Sequence, residues 1–164
     1  MPYTNSQSIA ASDLNNMLRG LYRDNTSRST SGTGEDDLGS LSISGGTIGA
    51  TGSIEVLVAG TITGAAGNKT IKLYFGGTAI ITTATAAGTS SWMLRARISN
   101  TATNAQRIFV EWGDHQSVSN YNKAYTTQTI DTTAAVIVKA TGECANGADT
   151  ITETMFEVQI QQIS

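Results

Sequence analysis

The chain has one cysteine, Cys144, one histidine, His115, and one proline, Pro2. A lone cysteine closes no intrachain disulfide and builds no cysteine-based zinc site, and a single histidine removes most designs that use imidazole as base or ligand. Charge is scarce as well. Asp, Glu, Lys and Arg make up 14% of the 164 residues, where an ordinary domain has about 25%. The net charge of −3 argues against nucleic-acid binding through a broad basic face. No window approaches the ~18 consecutive apolar residues of a helical membrane span, so none is predicted. Residues 1–6 show no basic stretch before an apolar run, so no cleaved secretory leader is predicted either.

What is present is threonine, serine, alanine and 17 glycines around a hydrophobic share of 39%. That share is enough for a core, and the length suits one domain with an added arm. The arm is read as residues 1–34. Within residues 6–21, Ile9, Ala10, Leu14, Met17, Leu18 and Leu21 follow helical spacing, with Ser6 or Ser8 as cap and Gly20 as stop. One short amphipathic helix is marginal alone in water and needs a surface to lie on. Residues 22–34 are polar and read as an extended strap. Ile9, Leu14, Met17, Leu18 and Leu21, with the basic Arg19, Arg23 and Arg28, are therefore the expected partner-binding residues.

From Glu35 the apolar pattern changes to period two. Leu41 and Ile43 alternate, then Ile54, Val56, Val58 and Ile62, then Ile71, Leu73 and Phe75. Trp92, Leu94, Ala96 and Ile98 follow, then Ile108, Val110 and Trp112, then Val136, Val138 and Ala140, then Phe156, Val158 and Ile160. Gly76-Gly77 between residues 71–75 and 79–81 predicts a tight hairpin, because glycine accepts positive φ. The expected fold is all-β: an antiparallel β-sandwich, jelly-roll-like, of about eight strands over residues 35–164, preceded by the helical arm. Residues 91–99 and 106–113 should pair with Ile98 opposite Ile108, Ala96 opposite Val110, Leu94 opposite Trp112 and Arg95 opposite Glu111. A shift of two residues would set Arg97 against Arg107, which like charges disfavour.

Chemistry is hard to find. Gly67-Asn68-Lys69-Thr70 imitates the end of a phosphate-binding loop, but Asn68 interrupts the motif and Lys69 leads into a strand. Asp114, His115 and Ser117 are the residue types of a hydrolase triad, yet adjacent residues in an extended chain point to opposite faces, so Asp114 is badly placed to orient His115. Gly113-Asp114 reads as a turn. Glu153 and Glu157 share strand parity away from Phe156 and Val158, which predicts a polar stripe facing solvent or a subunit. The acidic Glu35-Asp36-Asp37 reads as the polar lead into the first strand. Trp92 and Trp112 are in phase with core residues. Tyr74, Tyr121 and Tyr125 are not, and are better placed for surface contact. Cys144 lies in an expected loop with nothing nearby to activate it. No catalytic residue, cofactor or metal site is expected.

Three blocks carry a likeness. Residues 33–38 (Thr-Gly-Glu-Asp-Asp-Leu), 68–77 (Asn-Lys-Thr-Ile-Lys-Leu-Tyr-Phe-Gly-Gly) and 92–97 (Trp-Met-Leu-Arg-Ala-Arg) resemble a family of small virion structural proteins of tailed bacteriophages, of the jelly-roll capsid decoration or cement type. The likeness spans roughly residues 32–110 and departs after the first strand, at Ile43-Ser44-Gly45-Gly46-Thr47. It implies a non-enzymatic particle component that binds the major capsid protein lattice on the capsid surface and associates with itself, as a trimer rather than a dimer. It transfers no catalytic residue. The alternative is a receptor- or glycan-binding module of a head or tail fibre, with tyrosines meeting sugar. No nucleic-acid or membrane partner is expected.

Overall fold

Apolar side chains at every second position leave one face of each strand to be buried, and two such sheets closing on one another satisfy all of them. The computed structural model describes residues 19–65, 67–85, 88–114 and 121–161. Among these are eleven strands and no helix: β1 (Arg19–Asp24), β2 (Arg28–Ser29), β3 (Glu35–Ile43), β4 (Ser53–Thr63), β5 (Lys69–Phe75), β6 (Thr78–Thr85), β7 (Ser90–Ala102), β8 (Ala105–Asp114), β9 (Tyr121–Gln128), β10 (Val136–Cys144) and β11 (Thr150–Gln161). They form two antiparallel sheets. The seven-stranded sheet runs β1-β11-β4-β7-β8-β9, with β2 also on β11; the four-stranded sheet runs β3-β10-β5-β6. Ile54, Val58, Leu94, Ile98, Val110, Phe156 and Val158 of one sheet meet Leu73, Phe75, Val138 and Ala140 of the other in one core.

The expected register of β7 and β8 is observed. Ile98 faces Ile108, Ala96 faces Val110, Leu94 faces Trp112 and Arg95 faces Glu111, while Arg97 faces Phe109 instead of Arg107. The Gly76-Gly77 hairpin is also observed, joining β5 to β6 with φ of 59° and 80°.

Two expectations about the first 34 residues are corrected. Arg19–Leu21 is strand, not the end of a helix, and the segment read as a strap is tied to the body: β1 pairs with β11 from Arg19↔Gln161 to Asp24↔Phe156, and β2 pairs with it at Ser29↔Thr152 and Arg28↔Glu153. The cause is the exposed side of β11, whose backbone groups need a partner beyond β4, and Tyr22, which packs edge-on to Phe156 with ring centres 6.2 Å apart. A division at residue 34 therefore does not follow the sheet. Ile9, Leu14, Met17 and Leu18 lie outside the described residues, as do His115 and Ser117.

Candidate functional site

Side chains that alternate inward on β1, β11, β4, β7, β8 and β9 leave the others on one open face, and antiparallel register lines them up in rows across the sheet. One row runs Arg23, Glu157, Leu57, Arg95, Glu111, Lys123. The next runs Leu21, Gln159, Glu55, Arg97, Phe109, Tyr125. On the other side lie Met155, Ala59, Met93, Gly113 and Tyr121. A groove of about 520 Å³ follows these rows, with Arg23, Glu55, Arg95, Glu111, Tyr121 and Glu157 among its lining residues.

Charges in the groove are paired across strands. Arg23 Nε donates to Glu157 at 2.5 Å, and Arg95 Nε donates to Glu55 at 2.6 Å. The bond to Glu55, with Glu111 further off, raises the Arg95 guanidinium above its usual range. The Tyr121 hydroxyl donates to Glu111, which raises its own pKa. The arrangement presents fixed carboxylate acceptors and guanidinium donors beside an aromatic ring that is 49% exposed. Such a surface can exchange hydrogen bonds with hydroxyl groups and stack on an apolar ring face; among the described residues it brings no nucleophile and base into contact.

The expected sites distribute unevenly. Of the partner-binding set, Leu21 and Arg23 line the groove. Arg28 does not. Its Nη2 donates to Asp24 at 2.7 Å and its Nη1 to the Leu38 carbonyl at 3.3 Å. Arg19 stands on β1 opposite Gln161. Tyr121 and Tyr125 are exposed as expected, whereas Tyr74 donates to Glu35 at 2.8 Å on the other sheet.

Glu153 and Glu157 do not share a face, which corrects the polar-stripe reading. β11 has a bulge between Glu153 and Met155, and one extra residue reverses parity. Glu153 turns inward and is fully buried, with Arg28 Nη1 3.7 Å from its carboxylate, while Glu157 stays on the open face. Burial pushes the Glu153 carboxyl up to about 7.

Lys69 is fully buried at the mouth of β5. Its Nζ lies 2.9 Å from Asp149 and donates to the Ala65 carbonyl at 2.8 Å and the Gly67 carbonyl at 3.3 Å, so the ammonium that imitated a phosphate loop closes its own loop. Gly113 and Asp114 belong to β8 and not to a turn, and Cys144 ends β10, buried, with its Sγ 3.5 Å from Thr30 Oγ1. Trp92 is in the core and Trp112 packs partly buried against it. Among the described residues no three His, Cys, Asp or Glu side chains gather into a metal site, and no helix is long and apolar enough to cross a membrane.

No family model and no curated protein matches the chain. Solved structures resemble it distantly. Dimeric latent PorU from Porphyromonas gingivalis is 11% identical with a TM-score of 0.47, over 88% of this chain and 12% of that one. The CBM2 module of the evolved Dit of Lactobacillus casei BL23 phage J-1 is 12% identical with a TM-score of 0.39, over 74% and 68%. A family 35 carbohydrate binding module from Clostridium thermocellum is 10% identical with a TM-score of 0.30, over 84% and 90%. At these values none of them bears on what the chain does.

Proposed function

We propose that the chain is a non-enzymatic binding module that holds a glycan on the open face of its seven-stranded sheet, as a receptor- or glycan-binding part of a phage head or tail fibre. The observation that carries this reading is the groove itself: carboxylates and guanidiniums locked against one another at Glu157–Arg23 and Glu55–Arg95, with the Tyr121 ring at the margin. Pre-paired side chains are already oriented, so little ordering entropy is lost when sugar hydroxyls bridge them. The test is affinity electrophoresis of the purified chain through gels carrying different polysaccharides. Retardation in at least one gel, lost in Tyr121→Ala and in Glu111→Ala, supports the reading. Unretarded migration in all of them, neutral and acidic, contradicts it.

A second reading, a capsid decoration subunit on the major capsid protein lattice, draws on the likeness at residues 33–38, 68–77 and 92–97. It also draws on Leu21, 54% exposed at the end of the groove, which suits contact with a protein surface. On that reading the module sits at the virion surface as a homo-oligomer, a trimer rather than a dimer, present in about as many copies as the lattice has positions. A fibre module would be present in few. Quantitative staining of purified particles separates the two.

A further inference from the structure

Beside the groove, the β8–β9 end of the same face carries a second arrangement. Phe109 is 61% exposed and Tyr125 is 53% exposed. They face one another across β8 and β9 with ring centres 5.0 Å apart, tilted by 57°. A phenylalanine ring has no polar atom to hydrate, so a stable exposed pair marks a contact surface better than a solubilising one. Three cations surround it. Arg97 lies directly opposite Phe109 on β7. Arg107 precedes Phe109 by two residues on β8, and Lys123 precedes Tyr125 by two on β9, each on the same face and about 7 Å along the strand. Glu111 closes the remaining side, opposite Lys123.

These cations differ from those of the groove. Arg23 and Arg95 are bound by Glu157 and Glu55, whereas none of the ion pairs among the described residues engages Arg97, Arg107 or Lys123. Among the described side chains of this face, Arg23, Arg95, Arg97, Arg107 and Lys123 stand against Glu55, Glu111 and Glu157, five cations to three carboxylates, on a chain of net charge −3. The positive excess is thus concentrated where the rings are.

We infer that the Phe109–Tyr125 pair, ringed by Arg97, Arg107 and Lys123, binds a carboxylate-bearing sugar ring, so that the ligand of this face is an acidic glycan of the polyuronate class. The inference rests on the glycan-binding reading above and narrows it. An aromatic face takes the apolar face of a pyranose ring, and a guanidinium fork matches a carboxylate with two parallel hydrogen bonds. A nucleic acid fits less well. Its phosphates need a continuous basic track, and Glu55 opposite Arg97 and Glu111 opposite Lys123 interrupt one here.

The experiment compares polygalacturonate, the same polymer fully methyl-esterified, and a single-stranded poly-dT oligonucleotide, by titration calorimetry on the intact chain at low salt. The expected result is binding of polygalacturonate about tenfold tighter than of the ester, with the difference removed by Arg97→Gln with Lys123→Gln and by raised salt. Both substitutions are at exposed positions, and unchanged circular dichroism keeps a folding defect separate; Arg97→Lys, which retains the charge but not the fork, should retain only part of the preference. Equal binding of acid and ester overturns the acidic class while leaving the glycan reading in place. Acid-selective binding that survives Arg97→Gln with Lys123→Gln overturns the assigned site. Failure of both polymers overturns the acidic class, whereas the glycan reading falls only if no polysaccharide gel retards the chain; poly-dT bound more tightly than polygalacturonate replaces the glycan with nucleic acid.

Discussion

On the outer face of the four-stranded sheet, Glu35 accepts from Lys72, from Tyr74 and from Thr141, and Lys139 lies 2.9 Å from Asp37 and over the Tyr74 ring. On the outer face of the seven-stranded sheet, Glu157 holds Arg23, Glu55 holds Arg95 and Glu111 accepts from Tyr121, but none of the ion pairs among the described residues engages Arg97, Arg107 or Lys123, and the Phe109 and Tyr125 rings beside them are exposed. The first face has its polar groups matched with one another, so its charges serve the fold. The second leaves three cations hydrated and exposes the Phe109 and Tyr125 rings, whose apolar area is the part that costs free energy in water. The same contrast recurs inside. Lys69 and Asp149 form a close buried ion pair at 2.9 Å, while buried Glu153 has Arg28 at 3.7 Å.

The strongest way to break the matched side is Lys69→Met. It strands Asp149 in the interior, and losing one partner of a buried pair costs about 3–5 kcal/mol. Urea unfolding should show a loss of that order, with part of it recovered when Asp149→Leu is added.

A smaller effect comes from Glu153, whose neighbours in charge are Arg28 and Asp24. Its carboxyl titrates near 7 when folded and near 4.5 when unfolded, so the folded state holds the proton more tightly. That stabilisation is complete below about pH 4.5 and is lost as pH rises through 7, an amount on the order of 3 kcal/mol. Glu153→Gln should flatten the fall in stability between pH 5 and 8, as read from melting temperature. An unchanged slope would mean that Glu153 is ionised and paired throughout.

Glu35 works in the opposite direction and more weakly. Lys72 first, with Thr141 and Tyr74, holds its carboxyl down at about 2. Its contribution is therefore present above pH 4.5 and lost as pH falls toward 2. The site is partly open to solvent, which limits the effect to about 1 kcal/mol. Glu35→Gln should cost that much at pH 7 and progressively less as pH falls from 4.5 through 2.

How far the sequence revealed this follows from where cover exists. Strands with one covered face, such as β4, β5, β7 and β10, show period two because only one face must be apolar. The β7–β8 register was legible because Arg97 and Arg107 exclude the neighbouring one. β9 was not legible. Its Asn122 and Ala124 lie opposite Trp112 and Val110 on the inward side yet remain exposed, so nothing selects for apolar residues there. In β1, Leu21 points outward and Tyr22 inward, which blurs alternation. Glu153 was misplaced because a bulge leaves no mark in composition. Of the candidate site, Tyr121 and Tyr125 were visible as tyrosines out of core phase. Their grouping with Phe109, Arg97 and Lys123 needed the pairing of β9, and so the fold.

The most direct measurement is amide chemical-shift mapping by NMR of the chain titrated with a short oligogalacturonate. The shifts should cluster on β7, β8 and β9, at Arg95, Arg97, Phe109, Glu111, Tyr121 and Tyr125, and leave Lys72, Tyr74 and Lys139 of the opposite face undisturbed. Shifts centred on the four-stranded sheet, or no shifts at saturating ligand, would contradict the account.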